Sequence, residues 1–379
     1  MRIAIAPNAF RGSLTAQRAV ECIAEGLRRS RLENLDLLAM PLADGGDGTL
    51  DTIIDGLGGE RIAVTVKNPL GQPVEATYGW LKGETTAVIE MARASGVELI
   101  PRAARNPMIT TSWGTGELIR AAVEHGAQRI YIGMGGSATV EGGAGCLQAL
   151  GVRLLDDNGQ DIPTGGAGLA QLAHIEVAPA EKLLGKTQIV LLSDVTNPLI
   201  GERGAARIFG PQKGADPAMV EQLDANLSRF ADVIRREVGR EVVDLAGSGA
   251  AGGFGAGIVG CLGAELSPGG ATIIKLLGYD RQLPSVDLIV TGEGKLDAQT
   301  VGGKAVQSIA EVARQFNVPV VALAGMLDAD PDTLHAIGIS AAWSIVPRVC
   351  TLDEAITHAG EWLTNAAQHL GNVLALGLS

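Results

Sequence analysis

Several residue types are scarce in this sequence, and each scarcity argues against a class of function. Aromatic residues make up only 3% of the 379 residues, so stacking platforms for single-stranded nucleic acid are not expected. The net charge of −12 disfavours binding to nucleic acid or to anionic membranes. The chain contains no long apolar run and does not begin with a targeting segment. We therefore expect a cytoplasmic protein with neither a nucleic acid nor a membrane partner.

Cysteine and histidine are also few, and their spacing predicts no metal centre. The five histidines are dispersed and form no recognisable catalytic or zinc motif. Four cysteines are equally scattered, namely Cys22, Cys146, Cys261 and Cys350. We interpret them as reduced and mostly buried thiols, as is usual in the cytosol.

Glycine, in contrast, is abundant. The 52 glycines are about twice the typical share of roughly 7%, and they cluster in loops without a collagen-like period. Loops of this kind allow the backbone to approach a ligand closely. We therefore predict loops that bind phosphate groups.

The order of predicted elements indicates two domains, since the length exceeds that of a usual single core. Strand and helix patterns alternate at the start of the chain and again from Asp287, whereas residues 61–91 resemble an antiparallel meander. Neither terminal part alone supplies enough strands for a stable parallel sheet, but together they do. We predict a discontinuous, Rossmann-like, doubly wound α/β domain formed by residues 1–66 plus 285–379. A second, mixed α/β domain, residues 67–284, would be inserted and would carry the glycine-rich loops.

The segment from residue 129 to residue 151 is the most informative one. Ile130 to Ile132 predict a buried strand, three glycines follow it closely, and Ala144 to Leu150 predict a helix that ends at Gly151. A strand, a glycine-rich turn and a helix N-terminus together favour an anion site. The segment matches neither a Walker A loop nor a dinucleotide fingerprint, and a purely structural turn is the alternative.

Acidic residues recur beside glycines in four predicted loops, each of which follows an apolar strand. These residues are Asp44 with Asp47, then Glu141, then Asp194, and finally Glu293 with Asp297. Basic residues that could accompany them are Arg11, Lys213, Lys295 and Lys304. Carboxylates that hold Mg²⁺, cations and glycine N–H donors are the groups that phosphoryl transfer needs. Any one of these carboxylates could equally occupy a solvated turn or cap a helix.

The sequence resembles the bacterial type I glycerate kinases nearly from end to end. The motifs that carry the resemblance include Pro41-Leu-Ala-Asp-Gly-Gly-Asp-Gly-Thr49, Gly135-Gly-Ser-Ala-Thr-Val-Glu-Gly-Gly143, Asp194-Val-Thr-Asn-Pro-Leu199, Phe209-Gly-Pro-Gln-Lys-Gly-Ala215 and Thr291-Gly-Glu-Gly-Lys-Leu-Asp-Ala-Gln-Thr300. The resemblance implies a two-domain α/β fold and phosphorylation of glycerate at its 2-hydroxyl by ATP with Mg²⁺, which gives 2-phosphoglycerate.

The N-terminal loop departs from the family pattern. Pro7-Asn-Ala-Phe-Arg11 stands where the family usually has Pro-Asp-Ser-Phe-Lys, so an amide, a methyl group and a guanidinium replace three polar groups in one loop. Glu141 and Lys295 also differ from the usual Asp and Arg but keep the charge. The substrate could therefore be a related small hydroxy acid.

Residue roles follow from these motifs as hypotheses. Asp194 would bind Mg²⁺ or accept the hydroxyl proton, with Glu293 and Asp297 as alternatives. Lys213 and Arg11 would balance the charge of the transferred group or of the substrate carboxylate. Asp44 and Asp47 would contact the substrate. Phosphate or nucleotide contacts would come from Gly135, Gly136, Ser137, Thr139, Glu141, Gly249, Gly252 and Gly253.

Other functions fit parts of the pattern. A glycerate kinase that forms 3-phosphoglycerate would need the same groups. A nucleotide-linked oxidoreductase would fit the alternation of strands and helices, but the sequence lacks the dinucleotide fingerprint that such an enzyme would have. A non-catalytic relative that only binds glycerate or nucleotide would fit the altered N-terminal loop, although every acidic loop is present.

Overall fold

The structure is a computed structural model that describes residues 1–297 and 305–377. Its strands are β1 (Arg2–Pro7), β2 (Asp36–Ala39), β3 (Glu60–Lys67), β4 (Pro73–Leu81), β5 (Thr86–Glu90), β6 (Arg129–Gly133), β7 (Arg153–Leu155), β8 (His174–Glu176), β9 (Gln188–Leu192), β10 (Glu265–Ser267), β11 (Leu288–Asp297), β12 (Val320–Asp328) and β13 (Ala341–Ser344). Its α-helices are α1 (Ala16–Arg29), α2 (Thr49–Leu57), α3 (Ala92–Ser95), α4 (Trp113–Glu124), α5 (Ala144–Leu150), α6 (Ala178–Leu184), α7 (Ala205–Phe209), α8 (Pro217–Val238), α9 (Ala250–Leu262), α10 (Gly269–Leu276), α11 (Tyr279–Gln282), α12 (Ala305–Gln315), α13 (Pro331–Ala336) and α14 (Leu352–Leu376).

The chain forms two compact units. The terminal unit consists of Met1–Asp44 with Pro268–Ser379, and the central unit consists of Gly45–Ser267. Each unit contains its own sheet. The junctions of these units lie at residues 44/45 and 267/268, whereas the sequence places the domain boundaries at 66/67 and 284/285. The predicted positions of the boundaries stay a prediction.

The terminal unit is built on a parallel sheet with the strand order β13-β12-β11-β1-β2. Consecutive residues of β1 enter the cores on opposite faces, because Ile3 and Ile5 pack with α1 and α14 while Ala4 and Ala6 pack with α12. A sheet that is buried on both faces needs strands that are apolar throughout, as β1 is. The predicted doubly wound α/β class is confirmed.

Glycine is required where α1 meets α14. A Cβ atom on Gly26 would overlap the carbonyl oxygen of Thr364 and lie 2.7 Å from the Cβ of Ala367. The two helix backbones therefore approach one another closely at this position, and a larger side chain would separate them.

The central unit contains a mixed sheet with the order β10-β9-β6-β5-β4-β3. Strands β5, β6, β9 and β10 are parallel, and β3 and β4 extend the sheet as an antiparallel pair. The predicted antiparallel meander of residues 61–91 is confirmed, since β3 pairs antiparallel with β4 and β4 pairs antiparallel with β5. Helix α5 and its terminal Gly151, which has a left-handed backbone, are also confirmed.

One predicted loop is a strand. Residues 292–297 were expected to form a loop after a short strand, but β11 continues to Asp297 and pairs with β12 through Lys295↔Met326 and Asp297↔Asp328. The two glycines in this stretch suggested a turn, but tertiary pairing with β12 keeps the backbone extended.

Two further findings concern the helices and the cysteines. Among the residues that the structure describes, every helix is too short or too polar to cross a lipid bilayer. The cysteines are free thiols, and Cys22, Cys146 and Cys261 are buried. The prediction of reduced, mostly buried thiols is therefore confirmed.

Candidate functional site

In the central unit the glycine-rich loop that follows β6 lies against the backbone of residues 45–46. The N–H of Gly135 donates to the carbonyl oxygen of Gly45 over 2.9 Å. A Cβ atom on Gly135 would lie 2.5 Å from Gly46 Cα, a distance too short for any side chain. The glycine that the sequence predicted as a phosphate contact therefore has a packing role, and its N–H is occupied within the protein.

The side chain of Lys213, which belongs to a different segment of the chain, reaches into this loop. Its side chain is only 4% exposed, and its ammonium donates to Ser137 Oγ over 2.7 Å and to the carbonyl oxygen of Thr139 over 2.6 Å. No ion pair involving Lys213 occurs within residues 1–297 and 305–377. Burial lowers the pKa of Lys213 from its ordinary 10.5 to about 7, since desolvation disfavours the charged form. This arrangement brings together three of the residues that the sequence predicted.

The hydroxyl of Thr139 in this loop has no hydrogen-bond partner among the described residues. Thr139 Oγ1 is fully buried, and no hydrogen bond to it is found among the described residues. Buried hydroxyls are nearly always hydrogen-bonded in proteins. An ordered water or a ligand oxygen would satisfy this hydroxyl. Thr139 is also the residue whose carbonyl oxygen accepts a hydrogen bond from Lys213.

Glu141 is also buried, but its carboxylate binds groups of the protein itself. Oε1 accepts hydrogen bonds from Ser112 N at 2.7 Å, Ser112 Oγ at 2.6 Å and Gly145 N at 3.1 Å, and Oε2 accepts from Gly165 N at 3.0 Å. Burial raises the pKa of Glu141, and these hydrogen bonds oppose the rise. The first turn of α5, where the sequence predicted a bound anion, thus holds the protein's own carboxylate.

Asp194 follows the carboxyl end of β9 and is half-buried. Its loop is joined to the start of the next glycine-rich segment, because Gly249 N donates to the carbonyl oxygen of Asn197 over 3.0 Å. A Cβ atom on Gly247 would lie 2.9 Å from the Val195 carbonyl oxygen. The loop that carries Asp194 is therefore packed tightly against residues 247–249.

The start of α9 has an unusual backbone. Ala251, Gly252 and Gly253 have left-handed conformations, with φ values of 53°, 73° and 85°. A Cβ atom on Gly252 would overlap the carbonyl oxygen of Thr139, and the Gly252 carbonyl oxygen accepts a hydrogen bond from Gly142 N. Gly252 and Gly253 thus hold α9 against the loop that follows β6. Glycine adopts the left-handed conformation readily, but for Ala251 it is costly and of the kind found at functional sites.

Asp47 lies in the central unit and is exposed. Its Oδ1 is 3.0 Å from the position of a Cβ atom on Gly136, and this glycine has a φ of +71°. Asp47 therefore lies beside the loop that follows β6. The chain turns at Gly136, which adopts the left-handed conformation readily because it has no side chain.

The terminal unit collects the other predicted residues at the carboxyl end of its parallel sheet. Asn8 follows β1, and its Nδ2 lies 3.4 Å from Asp44 Oδ2. Arg11 is exposed. Strands β1 and β11 lie side by side although the chain runs from them in opposite directions across the sheet. Such a switch point is where open α/β sheets bind ligands.

The carboxyl half of β11 supplies charges to the same edge. Glu293 is buried. Lys295 Nζ forms an ion pair with Asp297 Oδ2 over 2.8 Å, in which the lysine side chain is 50% exposed and the aspartate 12%. Lys304 lies outside the described residues.

Metal binding by the protein alone is not indicated. Within the part of the chain that the structure describes, no three His, Cys, Asp or Glu residues are grouped so that they could hold a metal ion. Magnesium in phosphoryl-transfer enzymes usually takes only one or two carboxylates and completes its shell with phosphate and water oxygens. A single carboxylate such as that of Asp194 fits this pattern.

The sequence-based interpretation missed one group of residues. Thr110, Thr111 and Ser112 are all buried; Thr110 Oγ1 donates to the Ala138 carbonyl oxygen over 2.8 Å, and Ser112 binds Glu141. Three consecutive hydroxyl residues just before α4 were a visible signal, but the partners are about 28 residues away in sequence.

The chain is similar to known glycerate kinases in sequence and in fold. A model described as the glycerate kinase family matches residues 3–375. The chain is 44% identical to a glycerate kinase of Halalkalibacterium halodurans, over 98% of this chain and 97% of the other. It is 42% identical to the glycerate 2-kinase of Escherichia coli K12, over 100% and 99%. The crystal structure of a candidate glycerate kinase 2 from Salmonella typhimurium LT2 superposes with a TM-score of 0.86 at 44% identity, covering 100% of this chain and 99% of that one.

Proposed function

Because the chain belongs to the glycerate kinase family and is a kinase, we propose that it transfers the γ-phosphoryl group of ATP to the 2-hydroxyl of glycerate. The products would be 2-phosphoglycerate and ADP. The observation that carries this proposal is the buried Lys213, whose ammonium has hydrogen bonds but no carboxylate partner among the described residues.

A buried ammonium without an anion is unfavourable, since buried charges are normally paired. A phosphate oxygen next to Lys213 would supply the missing charge, and Thr139 Oγ1, which has no hydrogen-bond partner among the described residues, could donate to it. Binding of phosphate would then restore the protonated form of Lys213. A cation in a site without water stabilises the charge that develops on the transferred group.

Asp194 would hold Mg²⁺ together with the phosphates of ATP. Mg²⁺, when bound, would neutralise negative charge on those phosphates. Asp194 at the end of β9 is alternatively the base that accepts the proton of the 2-hydroxyl, and Glu293 and Asp297 are the other candidates for that role. Exchanging each carboxylate for its amide would distinguish them.

Glycerate would bind through the residues at the carboxyl edge of the terminal sheet. Its carboxylate would pair with the exposed guanidinium of Arg11, which can make two parallel hydrogen bonds. The carboxylate of Asp44, which Asn8 contacts, would accept a hydrogen bond from a substrate hydroxyl.

The proposed reaction is tested by glycerate-dependent release of ADP from the purified protein, measured with a coupled assay over a panel of small hydroxy acids. Glycerate should give the highest kcat/KM, and omission of the acid should abolish ADP release. A higher kcat/KM for lactate, tartronate or another hydroxy acid would contradict the choice of substrate. ADP release that needs no acceptor would contradict the kinase assignment itself.

The role of Lys213 is tested by Lys213→Met with Lys186→Met as its control, since Lys186 is an exposed lysine of the same unit. Loss of a charge-assisted hydrogen bond should raise the KM for ATP by about ten- to hundredfold. The KM for ATP of Lys186→Met should equal that of the wild type. Unchanged ATP kinetics in folded Lys213→Met would remove the phosphate contact from the proposal.

A further inference from the structure

We propose that Glu141 and Ser112 are positioning residues that hold the loop around Lys213 in shape without contacting a substrate. This proposal rests on the proposed function only in taking the Lys213 site as the phosphate site. Neither the sequence motifs nor the comparisons assign such a role, and Ser112 was not a predicted site residue.

The Glu141 carboxylate joins several separate segments of the chain. It accepts hydrogen bonds from Ser112 before α4, from Gly145 in the first turn of α5, and from Gly165 in a separate loop. The Ser112 hydroxyl in turn accepts from Cys146 N over 3.0 Å. One fully buried side chain therefore connects three chain segments to the loop that follows β6.

Hydrogen bonds from segment 110–112 hold the loop that follows β6 at two positions. Thr110 Oγ1 holds the carbonyl oxygen of Ala138, and Ser112 holds the side chain of Glu141. Thr139, whose carbonyl oxygen accepts a hydrogen bond from Lys213, lies between the two anchored residues. Segment 110–112 thus fixes the loop on both sides of the residue that places the ammonium.

The negative charge of Glu141 is enclosed by neutral groups of the protein. All four donors to Glu141 are neutral backbone or hydroxyl groups, and both carboxylate oxygens are occupied. Both oxygens of this carboxylate are held by groups of the protein, and its negative charge would repel a phosphate. Positioning is the role that these contacts leave for it, because a carboxylate can accept from several N–H groups at once, whereas an amide offers only one accepting oxygen.

The experiment compares Glu141→Gln and Ser112→Ala with the wild type and with Tyr78→Phe. In Glu141→Gln the amide nitrogen must face an N–H donor, either Gly165 N or the group around Ser112. Ser112→Ala keeps the carboxylate and its three backbone donors, so it should fold even if the first variant is unstable. Tyr78→Phe removes a hydrogen bond between a buried tyrosine hydroxyl and His125 Nδ1 and is a control for general loss of stability.

The decisive readout is acetylation of Lys213 by an N-hydroxysuccinimide ester in the native protein, measured by mass spectrometry relative to exposed Lys186. If the anchors hold the loop closed around Lys213, both variants should label it about tenfold faster or more, while Tyr78→Phe should not. The KM for ATP should rise in both variants with the KM for glycerate changed less than about twofold. Unchanged labelling of Lys213 in the folded variants, or equal acceleration in Tyr78→Phe, would overturn the proposal.

The two hypotheses can fail separately. If the wild type releases no ADP with glycerate, the proposed function fails, yet the labelling of Lys213 still tests Glu141 and Ser112. If ADP release is normal in the wild type and labelling is unaffected by both variants, only the positioning role fails.

Discussion

The ammonium of Lys213 donates to the hydroxyl of Ser137 over 2.7 Å, and both residues are buried. The two residues are 76 positions apart in the sequence. Their contact joins the end of the Phe209–Ala215 motif to the glycine-rich loop after β6. The two motifs, for each of which the sequence predicts a phosphate-binding role, therefore meet in the central unit.

The pKa of Lys213 leads to a prediction about stability. Because its pKa falls from 10.5 to about 7 on folding, the unfolded chain binds a proton here that the folded protein lacks between these pH values, so this group makes wild-type stability rise with pH. Lys213→Met loses this contribution. The free energy of unfolding of the ligand-free variant, relative to the wild type, should therefore be most favourable near about pH 7 and decline towards about pH 9.

Urea unfolding at several pH values measures this difference. The absolute difference also contains the lost hydrogen bonds to Ser137 and Thr139, so the change with pH is the relevant quantity. Lys186→Met should show no such change. A difference between Lys213→Met and wild type that is constant with pH would mean that Lys213 titrates normally.

Gly252 gives a prediction about packing. Alanine at this position meets both a φ of +73° and an overlap with the Thr139 carbonyl oxygen. Gly159→Ala is a matched control, since Gly159 has a φ of +75° but open space around its missing Cβ. Both variants should lose about 1–2 kcal/mol of unfolding free energy from backbone strain, and Gly252→Ala about 1–3 kcal/mol more from overpacking. Equal losses in thermal or urea unfolding would show that α9 can move away from Thr139.

Arg11 gives a prediction about the acid substrate. If its guanidinium binds the glycerate carboxylate, Arg11→Ala should raise the KM for glycerate about ten- to hundredfold, with little effect on the KM for ATP. The KM for glycerate of Arg11→Lys should lie between those of the wild type and Arg11→Ala, because an ammonium cannot make two parallel hydrogen bonds to a carboxylate. Arg281→Ala, a change of another exposed arginine in the terminal unit, should leave both constants unchanged. Steady-state kinetics that show no change in the KM for glycerate would assign Arg11 elsewhere.

Asp194 gives a prediction about catalysis. Asn keeps the shape of the side chain but provides neither charge nor basicity, so Asp194→Asn should fold with a near-normal melting temperature and lose about 10²-fold or more in kcat. Asp156→Asn is a suitable control, because the Asp156 carboxylate accepts hydrogen bonds from Asn158 N and Gln160 N in an exposed turn. Activity of Asp194→Asn within a few-fold of the wild type would transfer its role to Glu293 or Asp297.

The sequence predicts features that depend on neighbouring residues. The helix from Ala144 to Leu150 and its terminal Gly151 are found as predicted, because capping and periodicity act within one or two turns. The antiparallel pair β3 and β4 is also found as predicted, because the two strands follow one another directly in the sequence.

Features that depend on distant partners could not be predicted in this way. The extension of β11 to Asp297 is set by pairing with β12, and the partners of Glu141 come from residues 112, 145 and 165. The spacing of Gly135 predicted an N–H for a phosphate, but the carbonyl of Gly45 occupies that N–H. A glycine required for close packing and one required for ligand binding look alike in a sequence.

The position of the phosphate on the product tests the central claim most directly. Purified protein, ATP, Mg²⁺ and glycerate are allowed to react, and the product is examined by proton-coupled ³¹P NMR. The proposed transfer to the 2-hydroxyl predicts a phosphate signal split into a doublet by the single hydrogen on C2, matched by added 2-phosphoglycerate. A triplet from the two hydrogens on C3, matched by 3-phosphoglycerate, would contradict it.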